Sequence, residues 1–258
     1  TPWFPDEPLL TWLESVTPHL ADAQQAFRFP VQYVNRPHQD FRGYCGSVMS
    51  GSIAIGDEVT VLPNNVTNRV LRIHDFEGER QSAAAGEAVT LELEKETDIS
   101  RGDLLVRSDE EAMTVTDQFE ANVVWMAPEA LTPGKRYELR LGTIAVPATI
   151  KRLIHRLNVN TFQEEDSNRL ERNDIGRCEV ALEQAIPCDR YHEFPTTGAF
   201  ILVDRVSNNT IGAGMITATA GRKVIWQEGK VGKAARAQQK GQTPRVVWFT
   251  GLSGSGKS

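Results

Sequence analysis

The chain has 258 residues, 40% of them hydrophobic and 24% charged, with a formal net charge of −6. That is the balance of an ordinary globular protein, long enough for one large core or two small ones, and its acidity argues against a surface that grips nucleic acid by bulk positive charge. No stretch reads as a membrane span or a secretory signal, and Cys45, Cys178 and Cys188 stand far apart, so buried thiols in a reducing cytoplasm are the expectation.

In chain order, the first stretch is "TPWFPDEPLLTWLESVTP". Asp6 can cap a helix with Pro8 in its first turn, and Leu9, Leu10, Leu13 and Val16 then share one face. The helix reads either as the last helix of an upstream domain or as an N-terminal helix packed on the strands after it. Residue 1 is Thr and the far end falls inside a motif, so the chain is expected to be a piece of a longer polypeptide.

The middle of the chain reads as all-β. "GYCGSVMSGSIAIGDEVTVLP" sets apolar residues on short strands broken by the turn dipeptides Ser50-Gly51 and Gly56-Asp57. In "EAVTLELE", Val89, Leu91 and Leu93 alternate with Thr90, Glu92 and Glu94, which predicts an inward apolar face and an outward polar one. A second group of strands begins near Met113, where Phe119, Ala121, Val123 and Trp125 share a face. Short, closely spaced strands predict barrels or sandwiches, and the charged stretch from Asp109 to Met113 marks a border between two barrels, with one long sandwich as the alternative. The five histidines show no metal-binding spacing. The run "EEDSNRLERND" reads as a solvated loop, with partner binding as its functional alternative.

Beyond the strands, Arg222, Lys223, Lys230, Lys233, Arg236 and Lys240 face only Glu228 in a stretch that reads as a soluble linker; attraction of an anionic nucleotide or partner is the other reading. The apolar run "RVVWFT" then suits a buried parallel strand and leads into "GLSGSGKS". Gly251, Gly256, Lys257 and Ser258 complete the G-x-x-x-x-G-K-[ST] pattern. In such a loop, formed here by Gly251, Leu252, Ser253, Gly254, Ser255, Gly256, Lys257 and Ser258, glycines let successive backbone N–H groups turn toward ATP phosphates. Lys257 is the expected contact to the β- and γ-phosphates, and the Ser258 hydroxyl the expected ligand to Mg²⁺.

These segments carry a resemblance. "FRFPVQYV", "FRGYCGSVMSGSIAIGDEVTVLP", "VLRIHDFEGERQSAAAGEAVTLELE" and "ISRGDLLV" resemble the second domain of translation-type GTPases, with the G-x-V-x-x-G core at Gly46, Val48 and Gly51 and the G-D pair at Gly56 and Asp57. "FEANVVWM", "LNVNTF", "RNDIGRCEVAL", "CDRY" and "GAFILVDRVSNNTIGAGMI" resemble the third domain of the GTPase subunit of bacterial ATP sulfurylase, with Asn158 where that family commonly has Asp. "AARAQQKGQTPRVVWFTGLSGSGKS" resembles the opening of adenylylsulfate kinase, which is fused behind that subunit in some bacteria.

The resemblance implies a mainly β chain: residues 1–22 as a remnant of a GTPase domain, 23–110 and 111–221 as two consecutive translation-factor-type β-barrels, 222–244 as linker, and 245–258 as the first strand and phosphate loop of an α/β kinase. It implies a parent enzyme with two activities. One is GTP-dependent formation of adenylylsulfate from ATP and sulfate, shared with a small catalytic subunit; the other is ATP-dependent phosphorylation of adenylylsulfate at its 3′-hydroxyl. GTP would bind upstream, since no second phosphate loop, suitably placed D-x-x-G or N-K-x-D motif occurs before the barrels. No catalytic set is complete here, so the piece alone is expected to be inactive. Barrels that bind tRNA in a translation-type GTPase, and a non-catalytic β module, are the alternatives.

Overall fold

The computed structural model describes residues 8–15, 25–38 and 41–219. Helix α1 (Leu9–Ser15) stands first, and none of its residues is buried: Leu9, Leu10, Trp12 and Leu13 all face outward. The described residues therefore do not show this helix packed on the strands after it. Asp6 and Val16 lie outside them.

Nine strands belong to the first barrel domain, six of them forming its ring. They are β1 (Phe29–Asn35), β2 (Gly43–Ser47), β3 (Ser52–Ala54), β4 (Glu58–Leu62), β5 (Val66–His74), β6 (Glu79–Arg80), β7 (Ser82–Ala84), β8 (Ala88–Leu93) and β9 (Leu104–Arg107). Antiparallel pairing runs β4-β9-β1-β2-β8-β5, and a further β4–β5 pairing closes the ring, which leaves no open edge among these six strands. β6 extends the β5 hairpin, and β3 pairs with β7 as a separate ribbon.

Alternation decides which side chains fill this barrel. Val89 and Leu91 on β8 are buried with Phe29, Val31, Val59, Val61, Val70 and Ile73, each a β-branched or bulky apolar residue suited to a pleated, half-buried surface. Glu92 corrects the simple inside-outside reading. It lies on the face opposite Leu91, yet is only 7% exposed, because His74 Nε2 sits 2.5 Å from one carboxylate oxygen and Arg72 Nη1 3.5 Å from the other. Two glycines of the G-x-V-x-x-G core have steric causes. A Cβ on Gly46 would lie 2.5 Å from the Pro30 carbonyl oxygen; on Gly51, whose φ is +71°, it would lie 2.6 Å from the Phe27 backbone.

The second barrel comprises β10 (Thr114–Trp125), β11 (Arg136–Leu141), β12 (Ile144–Leu157), β13 (Glu164–Glu165), β14 (Ile175–Cys188), β15 (Ala199–Val203) and β16 (Thr210–Thr219), with the short helix α2 (Pro195–Gly198) before β15. Its ring is β11-β15-β16-β10-β14-β12, closed by β11–β12. Long strand β10 runs between β14 and β16, and its predicted face of Phe119, Ala121, Val123 and Trp125 is buried. Phe119 meets Phe200, and Trp125 meets Tyr137 edge-on, at 5.5 and 5.7 Å between ring centroids. Two closed barrels set aside the alternative of one long sandwich. Both barrels belong to one compact unit. The phosphate loop Gly251–Ser258, its strand and the basic linker lie outside the described residues.

Candidate functional site

The site with the most built structure is the junction between the barrels. Arg28 opens the first barrel, where its N–H donates to the Ser50 carbonyl at 3.1 Å and its own carbonyl accepts from Met49 N–H at 2.8 Å. These bonds fix its backbone and send its side chain to the second barrel. There its Nε–H donates to Asp189 Oδ2 at 2.9 Å and its Nη2–H to Asp189 Oδ1 at 3.3 Å. The Arg28 and Asp189 side chains are only 4% and 8% exposed, so the ion pair is dry.

Each partner is also held from behind. Arg28 Nη1 donates to the Phe27 carbonyl at 3.1 Å, and the guanidinium lies 4.7 Å from the centre of the Phe194 ring. Thr197, in α2, donates its hydroxyl to Asp189 Oδ2 at 2.6 Å. The segment joining the barrels is tied to the same place, because Phe27 N–H donates to Glu110 Oε2 at 2.6 Å. Leu62, Leu104 and Val106 of the first barrel also pack with Met113 and Val115 at the head of β10.

A second feature lies in the first barrel, along the β3–β7 ribbon. Ser52-Ile53-Ala54 and Ser82-Ala83-Ala84 pair antiparallel and are followed by matching turns. Asp57 Oδ2 accepts Ala54 N–H at 2.9 Å, and Glu87 Oε2 accepts Ala84 N–H at 2.7 Å, each bond reaching back three residues. A cavity of about 400 Å³ opens here. Its two arginines are committed: Arg107 to Asp109 at 2.7 Å and Asp57 at 3.8 Å, Arg80 to Glu87 at 3.0 Å and Asp75 at 3.1 Å. The charges that line this cavity are thus paired with one another.

Among the described residues no group of three or more His, Cys, Asp or Glu is placed to hold a metal ion. The thiols of Cys178 and Cys188 are pushed up to about 12 by burial, with the Asp189 carboxylate adding to the effect at Cys188, so neither is poised as a nucleophile. Cys45 is half-buried, its sulfur 3.3 Å from the Thr90 hydroxyl. No helix of the described residues is long and apolar enough to cross a membrane.

Arg28 and Asp189 were visible only as letters inside "FRFPVQYV" and "CDRY". The usable signal was an arginine interrupting an apolar strand entrance, a position where charge is retained only with a partner. Asn158 organises a loop of its own. Its Oδ1 accepts Asn160 and Thr161 N–H at 3.0 and 3.2 Å, and its Nδ2 donates to Glu165 Oε1 at 2.7 Å, which fixes the loop between β12 and β13.

Residues 118–217 match the GTP-eEF1A C-terminal domain-like family. Bifunctional enzyme NodQ of Rhizobium sp. (strain N33) is 49% identical over 258 residues, covering 99% of this chain and 40% of that protein. The chain is homologous to such bifunctional enzymes over almost its whole length. Sulfate adenylyltransferase subunit 1 of Aliivibrio fischeri (strain MJ11) is 46% identical over 214 residues, 83% of this chain and 45% of that protein. The homologous chain thus spans less than half the length of either relative. Sup35 complexed with GDP superposes with a TM-score of 0.71 at 22% identity, over 85% of this chain and 54% of that solved chain, a likeness of fold.

Proposed function

We propose that the two barrels are the non-catalytic core of the GTPase subunit of a sulfate-activating enzyme, joined by the basic linker to the opening of an adenylylsulfate kinase. The observation that carries this reading is a difference in coverage. The match to the bifunctional relative takes in 99% of the chain, whereas the match to sulfate adenylyltransferase subunit 1 takes in 83%. The phosphate-loop motif stands at the end of the chain, where the second activity of a bifunctional polypeptide would begin.

On this reading the parent polypeptide performs two steps. With a small catalytic subunit and GTP, sulfate oxygen attacks the α-phosphorus of ATP, giving adenylylsulfate and pyrophosphate. In the kinase, the 3′-hydroxyl of adenylylsulfate takes the γ-phosphoryl group of a second ATP, giving the 3′-phosphorylated product and ADP. The barrels brace the GTPase domain and offer surface to the catalytic subunit, so nucleotide state reaches that subunit as a change in domain orientation. Their committed charges suit a scaffold. Gly251–Ser258 would cradle ATP phosphates through backbone N–H groups, with Lys257 on the β- and γ-phosphates and Ser258 on Mg²⁺; this assignment rests on the motif.

The test is to produce the parent polypeptide with its catalytic subunit and follow both products from ATP and sulfate. The reading expects adenylylsulfate that depends on GTP and on both chains, and its phosphorylation by the parent polypeptide alone. Absence of both activities in a folded preparation overturns it.

A further inference from the structure

The barrel junction combines two kinds of contact that differ in directionality. The apolar contact of Leu62, Leu104 and Val106 with Met113 and Val115 is non-directional and survives a small rotation of one barrel against the other. The contact of Arg28 with Asp189 does not. A guanidinium presents its N–H groups in a rigid planar fork, and both carboxylate oxygens of Asp189 are engaged by it. Thr197 occupies Oδ2 as well, Phe27 O takes Nη1, and the Phe194 ring lies 4.7 Å from the guanidinium carbon. Rotation of the second barrel would withdraw Asp189, Phe194 and Thr197 together and leave Arg28 charged in a dry site.

A buried ion pair is weak evidence for stability, because desolvation offsets the attraction; its better-attested use is to specify one arrangement among several. We propose that the Arg28–Asp189 cluster is a rotational lock, which sets the angle between the two barrels and makes them turn as a single body. A partner that seats on either barrel then repositions both. Glu110 serves the same end, since it ties the joining segment to Phe27, the residue beside Arg28.

The experiment uses spin labels at exposed Asn64 in the first barrel and Lys151 in the second, in a Cys45→Ser background, with distance distributions from pulsed electron resonance. Asp189→Asn removes the charge, and the pair Arg28→Met with Asp189→Leu replaces the ion pair by apolar groups. We expect a single narrow distribution with the native pair and roughly a doubled width in both variants. The apolar double variant should keep its melting temperature, which separates lost orientation from lost folding and decides the matter even if Asp189→Asn does not fold. Native-width distributions in the double variant, or a broad distribution with the native pair, overturn the proposal.

Discussion

Arg28 and Asp189 stand 161 residues apart in sequence and form a two-point ion pair buried between two separately closed barrels. Asp189→Ala leaves the Arg28 charge in a dry site and is expected to cost about 3–5 kcal/mol, measured by denaturant unfolding. The Arg28→Met, Asp189→Leu pair should fall within about 1 kcal/mol of the native chain or exceed it. A loss as large as that of Asp189→Ala would make the ion pair a net stabiliser.

Asn158 and Glu165 support a prediction about pH. The Asn158 side-chain amide, then the Arg156 guanidinium, hold the Glu165 carboxyl below the usual carboxylate range. Because the folded value is lowered, the associated stabilisation is present above the unfolded glutamate range, near 4.3, and is lost as pH falls through the folded value. Asn158→Ala should move the Glu165 carboxyl toward its ordinary value in a carbon-detected NMR titration and shrink this acid-dependent contribution. An unmoved titration would place the cause on Arg156 alone.

Thiol chemistry separates the three cysteines. With Cys178 and Cys188 buried and their thiols pushed up to about 12, only Cys45 should react with a maleimide near neutral pH in the folded chain. Mass spectrometry should find one adduct under native conditions and three after denaturation. Two or more native adducts would mean that the second barrel opens readily.

Which features the sequence disclosed and which it hid depended on the range of the forces involved. Val89 and Leu91 in one barrel and Phe119, Ala121, Val123 and Trp125 in the other were legible because a period of two is a local property of a strand with one buried face. The burial of Glu92 on the outward face is illegible for the same reason. Alternation tells which face a side chain takes, while His74 and Arg72, which cover it, come from β5, another strand. The lock was illegible because Arg28 and Asp189 are each ordinary surface residue types; only ring closure and the packing of one barrel on the other bring them together. The phosphate loop was legible as a motif because its chemistry depends on contiguous backbone N–H groups.

On the proposed reading one polypeptide carries two separable activities, and the phosphate loop Gly251–Ser258 serves the second. Lys257→Ala, made in the full-length parent and assayed with the catalytic subunit, tests it most directly. A lysine aimed at charge that develops in the transition state is worth about 10²–10³ in turnover, so adenylylsulfate phosphorylation should fall by that factor. GTP-dependent adenylylsulfate formation from the same preparation should stay at the native rate, with an unchanged thermal melt. Equal loss of both activities would contradict this division, because the loop would then belong to a shared site.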